Sequence, residues 1–194
     1  MTFCITGNRP EKFPFYYGDA ASIEMTAYFM CIRSLADEML DRGFDKFLTG
    51  MARGVDLDFG VEMIKRKMLS KRYAGLSVEA AIPYPDQAAR YDRESKKKYN
   101  FILDHADRVT YIENEYSKDC YLKRDRYMVD KSDLVLAIWN EQQDGGTYYT
   151  IRYAEEKGKE LKLVSLKTMR YAAKILPLFC EIICQNVRLM KRKA

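Results

Sequence analysis

The sequence is poor in the residues that build metal sites and catalytic triads. It has one histidine, His105, and its five cysteines show no zinc-type pairing. A site made of several histidines is therefore excluded, and a histidine-dependent triad would have to use His105 alone. An odd number of cysteines without paired spacing indicates reduced side chains that fill space. We therefore expect no metal ion and no disulfide framework.

Long apolar runs are also missing. No segment approaches the roughly 20 apolar residues of a membrane-spanning helix. The first residues, MTFCITGNRP, do not lead from a basic stretch into an apolar one. These two absences predict a cytoplasmic protein that makes no contact with a membrane.

What is present is the composition of an ordinary globular protein, with 47% hydrophobic and 31% charged residues in a chain of 194. That length can bury a core without disulfides or metal. The net charge of +5 is concentrated in residues 167–194, which hold 7 Lys/Arg and 1 Asp/Glu, so the remainder is close to neutral. The sequence predicts one domain over residues 1–166 and a basic amphipathic helical tail over residues 167–194.

The predicted tail carries an apolar stripe that ends in a Lys-Arg-Lys run at 191–193. We expect this short stripe to pack against the body, a second copy of the chain or a protein partner, and not to lie on a membrane. A homodimer is one of these alternatives. Nucleic acid is a less favoured partner, because three basic residues alone give only weak, salt-sensitive binding.

Apolar runs of strand length alternate with segments of helical periodicity. The predicted strands are residues 2–6, 47–49, 76–82, 108–112, 134–139 and 161–165. The predicted helices are residues 22–42, 55–69, 87–105, 120–131 and 147–157, and the lysine run at 96–98 is expected to be a solvated face. This alternation predicts an α/β fold, a Rossmann-like three-layer α/β/α arrangement with a mostly parallel sheet, followed by the helical tail.

Glycines follow three of the predicted strands, in the loops Gly7-Asn8-Arg9-Pro10, residues 50–54 and residues 144–147. In an open α/β sheet, ligands bind beyond the carboxyl ends of the strands, near the point where strand order reverses. Glycine lets a backbone approach a ligand closely, and the last two loops precede helices whose free N–H groups favour an anion. We therefore expect the three loops to form one phosphate-compatible site.

The glycine loops do not match two well-known nucleotide motifs. No Gly-Lys-Ser/Thr follows the glycines, as it would in a Walker loop, and no loop has the full G-x-G-x-x-G pattern. ATP hydrolysis and hydride transfer are therefore not expected.

Several polar residues beside these loops have two interpretations each. Arg9 and Arg53 could neutralise a phosphate, and Thr147 could either cap its helix or donate its hydroxyl to that phosphate. Asp56 and Asp58 lie in a first helical turn, where carboxylates interact favourably with the helix dipole. Asp56 could instead accept hydrogen bonds from a ribose or a base.

A basic and aromatic cluster lies on the helix predicted at 120–131 and contains Tyr121, Arg124, Arg126 and Tyr127. One interpretation is an ordinary surface pair between Arg126 and Asp130, which are four residues apart. The other is a clamp on the ligand.

Six segments, in order, resemble the YpsA family of the SLOG superfamily, which has Rossmann-like folds and also includes the DNA-processing protein DprA and the cytokinin-activating LOG enzymes. They are TGNRP at 6–10, TGMARGVDLD at 49–58, AAIPYPDQ at 80–87, KKYNFILDHADRV at 97–109, RDRYMVDKSDLVLAIWN at 124–140 and GGTYYTIRYAEEKGK at 145–159. The resemblance implies a pocket for a nucleotide ligand. The residues on matching positions are Gly7, Arg9, Gly50, Gly54, Asp56, Gln87, Arg126, Gly145, Gly146 and Thr147. With Asn8, Arg53 and Asp144 from the loops themselves, these form the predicted ligand-binding set.

The sequence departs from the family and superfamily patterns at three positions. Asn8 stands where the family often has histidine, and Tyr91 where tryptophan is common. In the LOG enzymes, a glutamate follows the threonine of the glycine motif by three residues; here Thr150 occupies that spacing, so the carboxylate suited to glycosidic hydrolysis is missing. We therefore expect a binder or sensor of a nucleotide-derived ligand, without catalytic residues and without a further cofactor. A phosphoribohydrolase-like N-glycosidic hydrolase and a DprA-like binder of single-stranded nucleic acid are the alternatives.

Overall fold

The structure is a computed structural model that describes residues 1–169. The tail predicted at 167–194 therefore lies outside the described residues, apart from residues 167–169. The strands are β1 (Thr2–Gly7), β2 (Lys46–Thr49), β3 (Ser77–Ile82), β4 (Arg108–Tyr111), β5 (Leu134–Trp139) and β6 (Glu160–Ser165). The helices are α1 (Ile23–Asp41), α2 (Val55–Leu69), α3 (Arg93–His105), α4 (Cys120–Lys131) and α5 (Gly145–Glu156).

All strand pairings in residues 1–169 are parallel, and the order of the strands is β4-β3-β2-β1-β5-β6. Phe3 of β1 lies opposite Phe47 of β2 on one side and Leu134 of β5 on the other. β1 is therefore central, and its nearly continuous apolar sequence suits a strand covered on both faces. The predicted Rossmann-like α/β fold is confirmed, with a sheet that is wholly parallel in these residues.

Helices cover the two faces of the sheet and complete three layers. Phe3 and Ile5 of β1 belong to a core built with α1 and α2, while Cys4 between them packs with Met128 of α4 and Ala154 of α5. This division follows from strand geometry, because successive side chains point to opposite faces. No helix in the described part of the chain is both long enough and apolar enough to cross a membrane.

The order of the strands reverses direction between β1 and β5. From β1 the chain builds one half of the sheet through β2, β3 and β4, and it then returns to the other side of β1 to add β5 and β6. The loops that follow β1 and β5 therefore diverge to opposite faces, which opens a crevice at the carboxyl edge.

The third helix begins later than the sequence pattern predicts. A helix was expected from residue 87, but Pro85–Ala88 forms a short 3-10 turn and α3 starts at Arg93. The reason is the cap at Asp92, whose carboxylate accepts hydrogen bonds from the Ser95 amide at 2.9 Å and the Ser95 hydroxyl at 2.7 Å. Such a cap fixes the first turn of a helix.

Candidate functional site

A cavity of about 450 Å³ opens at the carboxyl edge where strand order reverses. It is formed by the loops after β1 and β5, the start of α2 and the first turns of α4. Most residues of the predicted ligand-binding set line it, namely Gly7, Asn8, Arg9, Asp56, Asp144, Gly145, Gly146 and Thr147. Further lining residues that the predicted set does not contain are Thr6, Glu11, Lys12, Ala52, Tyr121, Leu122, Arg124 and Asp125.

The amino terminus of α5 forms one wall of the cavity. Gly145, Gly146 and Thr147 make up its first turn, and the N-cap residue Asp144 makes no side-chain hydrogen bond to that turn. The Asp144 carboxylate instead pairs with the Lys12 ammonium at 2.5 Å. Because the first amides of a helix have no partner within it, this wall offers N–H donors and the positive end of the helix dipole.

Arg9 brings a cation to the same cavity. Its guanidinium lies over the ring of Tyr121, 5.5 Å from the ring centroid. Among residues 1–169 it has no carboxylate partner, whereas Lys12, Arg53 and Arg124 each have one. Arg9 is therefore the cation best able to engage an incoming anion.

Arg53 lies beside the cavity but does not line it. Its guanidinium pairs with Glu11 and lies 3.6 Å from Asp92 at the start of α3. Of the two arginines expected to neutralise a phosphate, the structure brings only Arg9 into the cavity.

The floor of the cavity holds one guanidinium between two carboxyl groups. Arg124 is 5% exposed, and its Nε donates to Asp125 at 2.7 Å. Asp56 is likewise buried and accepts a long hydrogen bond from the Ala52 amide at 3.4 Å. Burial raises the pKa of Asp56 to about 7, even though Arg124 opposes the shift. Burial also raises the pKa of Asp125.

Gly50 and Gln87 support this floor from behind. The Gly50 carbonyl accepts a hydrogen bond from Arg124 and a second from the Gln87 side-chain amide at 3.2 Å. A Cβ at Gly50 would overlap the Arg124 guanidinium and lie 2.8 Å from the Asp56 carboxylate. Glycine is therefore required here so that the floor can pack, and neither Gly50 nor Gln87 reaches the cavity itself.

Gly54 and Asn8 hold the neighbouring loops together. Gly54 has φ of 84°, and a Cβ at this position would lie 2.7 Å from the Asn8 carbonyl oxygen. The Asn8 side-chain oxygen accepts a hydrogen bond from the backbone N–H of Asn140 at 2.7 Å. This bond joins the loop after β1 to the loop after β5. Contact between protein loops accounts for both residues.

Arg126 points away from the cavity. It is exposed, its Nε donates to the Tyr149 hydroxyl at 2.5 Å, and its guanidinium lies 5.6 Å from the ring centroids of Tyr149 and Tyr153. Asp130, the expected surface partner of Arg126, instead accepts a hydrogen bond from Tyr153. The ligand role that the family resemblance implies for Arg126 stays a prediction.

The signal that distinguishes Arg124 from Arg126 is helical periodicity. Arg124 and Asp125 share the buried face of α4 with Cys120, Met128 and Val129, while Arg126 does not. Residues separated by three or four positions lie on one side of a helix.

Asp58 serves the core, although it lies only two residues from Asp56. Its carboxylate accepts hydrogen bonds from the Tyr17 hydroxyl at 2.6 Å and the Tyr28 hydroxyl at 2.9 Å, and it pairs with Lys98 at 2.5 Å. Burial and Asp58 raise the pKa of Tyr28, so that its hydroxyl stays a donor. The solvated face expected at 96–98 is therefore wrong at Lys98.

Thr150 is buried and its hydroxyl donates to the Gly146 carbonyl at 2.8 Å. It lies against Asp125, which reaches the cavity from α4. The cavity thus contains carboxyl groups, from Asp56 of α2, Asp125 of α4, Glu11 and Asp144, and none from the Thr150 position of α5.

A solved structure of DNA processing protein A from Helicobacter pylori, described for its single-stranded DNA binding mode, has a similar fold. The TM-score is 0.54 at 16% sequence identity, over 91% of this chain and 72% of that chain. UPF0398 proteins are similar in sequence. The one from Bacillus cereus (strain B4264) is 24% identical over 162 residues, and the one from Bacillus thuringiensis (strain Al Hakam) is 23% identical over 158. Each alignment covers 80% of this chain and 83% of the relative.

The sequence model of the YpsA family, described as the YspA SLOG family, matches residues 3–170. This match includes the six strands of the described residues, except Thr2 at the start of β1, and every residue that lines the cavity. The chain belongs to the YpsA family of SLOG proteins.

Proposed function

We propose that the cavity binds a nucleotide or a nucleotide-derived small molecule. The observation that carries this proposal is the placement of Arg9, which has no carboxylate partner among the described residues, and the uncapped first turn of α5 on one cavity at the strand-order reversal. N–H groups at a helix terminus together with a guanidinium are a common way to hold a phosphate. The phosphate would lie against Gly145, Gly146 and Thr147.

The charges of the floor indicate which part of the ligand it receives. Asp56 and Asp125 are buried carboxyl groups beside Arg124, with a smaller influence from Arg9, so a phosphate placed against them would be repelled once both ionise. A carboxylate instead accepts hydrogen bonds from hydroxyl and N–H groups. We therefore place the phosphate at α5 and a donor-bearing ribose or base at Asp56 and Asp125.

Family membership supports the same ligand class. The chain is a SLOG protein, and the similar fold of DNA processing protein A from Helicobacter pylori belongs to a protein described as binding single-stranded DNA. Both ligands, a nucleotide and a DNA strand, combine phosphate with a base.

The test is a thermal-shift screen of the full chain with nucleoside monophosphates, ADP-ribose and cyclic dinucleotides, followed by isothermal titration. A ligand at 100 times its Kd stabilises the folded state by about 2.7 kcal/mol, which raises the Tm of a protein of this size by about 5–10 °C. Arg9→Ala should remove most of that shift, and Arg72→Ala is the matched control, because Arg72 forms an exposed pair with Asp41. Arg126→Ala examines the role that the family resemblance implies. No shift with any of the compounds would contradict the proposal.

A second candidate, N-glycosidic hydrolysis of a nucleotide, is favoured by the carboxyl groups at the floor. In this reaction water adds to C1′ of the sugar, the bond from C1′ to the base nitrogen breaks, and the base leaves with a proton. Asp56, whose pKa is raised to about 7 by burial, has the proton affinity of a general acid at neutral pH. Asp125 could stabilise the positive charge that develops on the sugar.

Chromatography of nucleoside monophosphates after incubation separates this candidate from simple binding. Release of free base that disappears in Asp125→Asn would support hydrolysis. Binding without release of base would leave the chain as a binder or sensor.

A further inference from the structure

Three tyrosines lie in contact beside the mouth of the cavity, and we call them the tyrosine triad. Tyr84 follows β3, Tyr116 lies in the loop after β4, and Tyr121 is in the first turn of α4. The ring of Tyr84 packs edge-on against Tyr121, with centroids 6.0 Å apart, and against Tyr116, with centroids 5.4 Å apart. Tyr121 lines the cavity, so the triad continues the cavity along the carboxyl edge.

The tyrosine triad does not belong to the hydrophobic core. None of its members is among the side chains that form the core clusters of residues 1–169, in contrast to Tyr28 and Tyr99. Tyr116 is 63% exposed. Within the triad, the Tyr84 and Tyr121 hydroxyl groups approach each other to 3.4 Å. Packing of the core therefore does not explain why three aromatic rings are gathered at this edge.

The position of Arg9 shows that one side of the Tyr121 ring faces the cavity. Its guanidinium lies 5.5 Å from the ring centroid, and Arg9 lines the same cavity. Planar cations and nucleobases both stack on aromatic faces. The side chain of Arg9 is long and forms no salt bridge among the described residues, so it can leave the ring without breaking an ion pair, and its charge already acts on Asp56 and Asp125 inside the cavity.

We propose that a nucleobase stacks on the Tyr121 ring, which Tyr84 and Tyr116 hold in place. When the ligand binds, Arg9 turns from the ring to the phosphate. This inference rests on the proposed function and adds its base subsite. Recognition by stacking tolerates different bases, since every base has a π face. The site then selects a 5′-phosphorylated nucleotide over a sugar phosphate, with little preference among the four bases.

The test compares nucleoside monophosphates with ribose 5-phosphate, which carries the same sugar phosphate without a base. Titration of the full chain with AMP, GMP, CMP and UMP is set against titration with ribose 5-phosphate. Tyr121→Leu should weaken binding of the monophosphates about 5- to 150-fold, which corresponds to the ~1–3 kcal/mol of a base–aromatic stack. It should leave binding of ribose 5-phosphate within about 2-fold of the unmodified chain, and that result also shows that the variant is folded.

Two further variants separate stacking from other effects. Tyr121→Phe keeps the ring and loses the hydroxyl, so it should bind the monophosphates within about 3-fold of the unmodified chain. Tyr73→Leu is the matched control, because Tyr73 carries a similar stacked arginine, Arg72 at 5.2 Å, ahead of β3 at the opposite edge of the sheet. In NMR spectra, base protons should shift upfield with the unmodified chain and Tyr121→Phe, and not with Tyr121→Leu.

The outcomes distinguish this inference from the proposed function. If ribose 5-phosphate and the monophosphates bind equally well, the base subsite is refuted and the phosphate site stands. If neither class binds, the base subsite is refuted, and the proposed function fails as well if ADP-ribose and the cyclic dinucleotides also give no thermal shift. Base-dependent binding that survives in Tyr121→Leu also refutes the inference. A 5′-phosphorylated tetranucleotide that binds more tightly than the monophosphates, and loses affinity in Tyr121→Leu, supports the same stack and identifies a strand end as its source.

Discussion

Replacement of Asp58 by asparagine should destabilise the fold while leaving the cavity intact. The Asp58 carboxylate has no exposed side-chain surface and receives three donors, the hydroxyls of Tyr17 and Tyr28 and the ammonium of Lys98. These donors come from the segment before α1, from α1 and from α3. Asparagine has the same shape but replaces one acceptor oxygen with a donor, so at least one of the three groups must face another donor.

The magnitude follows from the contacts that are lost. A hydrogen bond to a charged group contributes about 1.5–3 kcal/mol, and removal of one partner from a buried ion pair costs about 3–5 kcal/mol. The Lys98 side chain is 32% exposed, so its ammonium can recover water and the cost lies at the lower end. We expect a loss of about 3 kcal/mol. For a chain of this size that is a fall of about 6–12 °C in Tm.

Urea denaturation followed by circular dichroism measures this loss. Asp41→Asn is the control, because the pair between Asp41 and Arg72 has side chains 59% and 68% exposed and should change stability by less than about 1 kcal/mol. Tyr28→Phe removes one of the three donors to this carboxylate and should cost about 1.5–3 kcal/mol. The reasoning is refuted if Asp58→Asn and Asp41→Asn unfold at the same urea concentration.

Three further predictions concern Asp56, Gly54 and the cap of α3. Burial raises the folded-state pKa of Asp56 from 3.8 to about 7, so the folded chain binds this proton more tightly than the unfolded chain. Stability should fall as pH rises from about 4 to 7, and the contribution of Asp56 between urea titrations at pH 5 and pH 8 should be about 2–3 kcal/mol; Asp56→Asn should remove that contribution. Gly54→Ala places a Cβ 2.7 Å from the Asn8 carbonyl at a φ of 84°, so it should cost about 1–3 kcal/mol; Gly75→Ala, with open space around it, should change stability by under about 0.5 kcal/mol in the same assay. Asp92→Ala removes the cap of α3 and should cost about 1 kcal/mol in thermal unfolding, whereas Asp119→Ala, at the uncapped start of α4, should not.

Local sequence patterns were sufficient for most of the fold. The apolar run of β5 sets its bounds at Leu134–Trp139, because burial on both faces requires a continuous apolar strand. The pattern failed at residues 87–92, where the side chains suit either a helix or a 3-10 turn. The cap at Asp92 decides between them, and its effect depends on Ser95 three residues later.

The candidate site was predictable at the level of loops and less so at the level of side chains. The sequence pattern identified the loops after β1 and β5, because the carboxyl edge of a parallel sheet follows from the order of elements. It assigned Gly50 and Gly54 to ligand approach, which stays a prediction, and it did not reveal that both glycines make room for protein atoms. The space beside a glycine is filled by atoms from a segment that is distant in the sequence. Arg124, for example, fills the space beside Gly50. No local pattern contains that information.

Two pairs of charged residues show why position along a helix decides the role of each. Asp56 and Asp58 on α2, and Arg124 and Arg126 on α4, are each separated by two residues, which places them about 200° apart around the helix. Asp56 and Arg124 therefore meet at the floor of the cavity, while Asp58 reaches the core and Arg126 stacks on half-buried tyrosines. Charge and proximity in sequence are the same within each pair. The position of each residue around its helix, together with the side of the sheet that the helix covers, determines which member of a pair reaches the cavity.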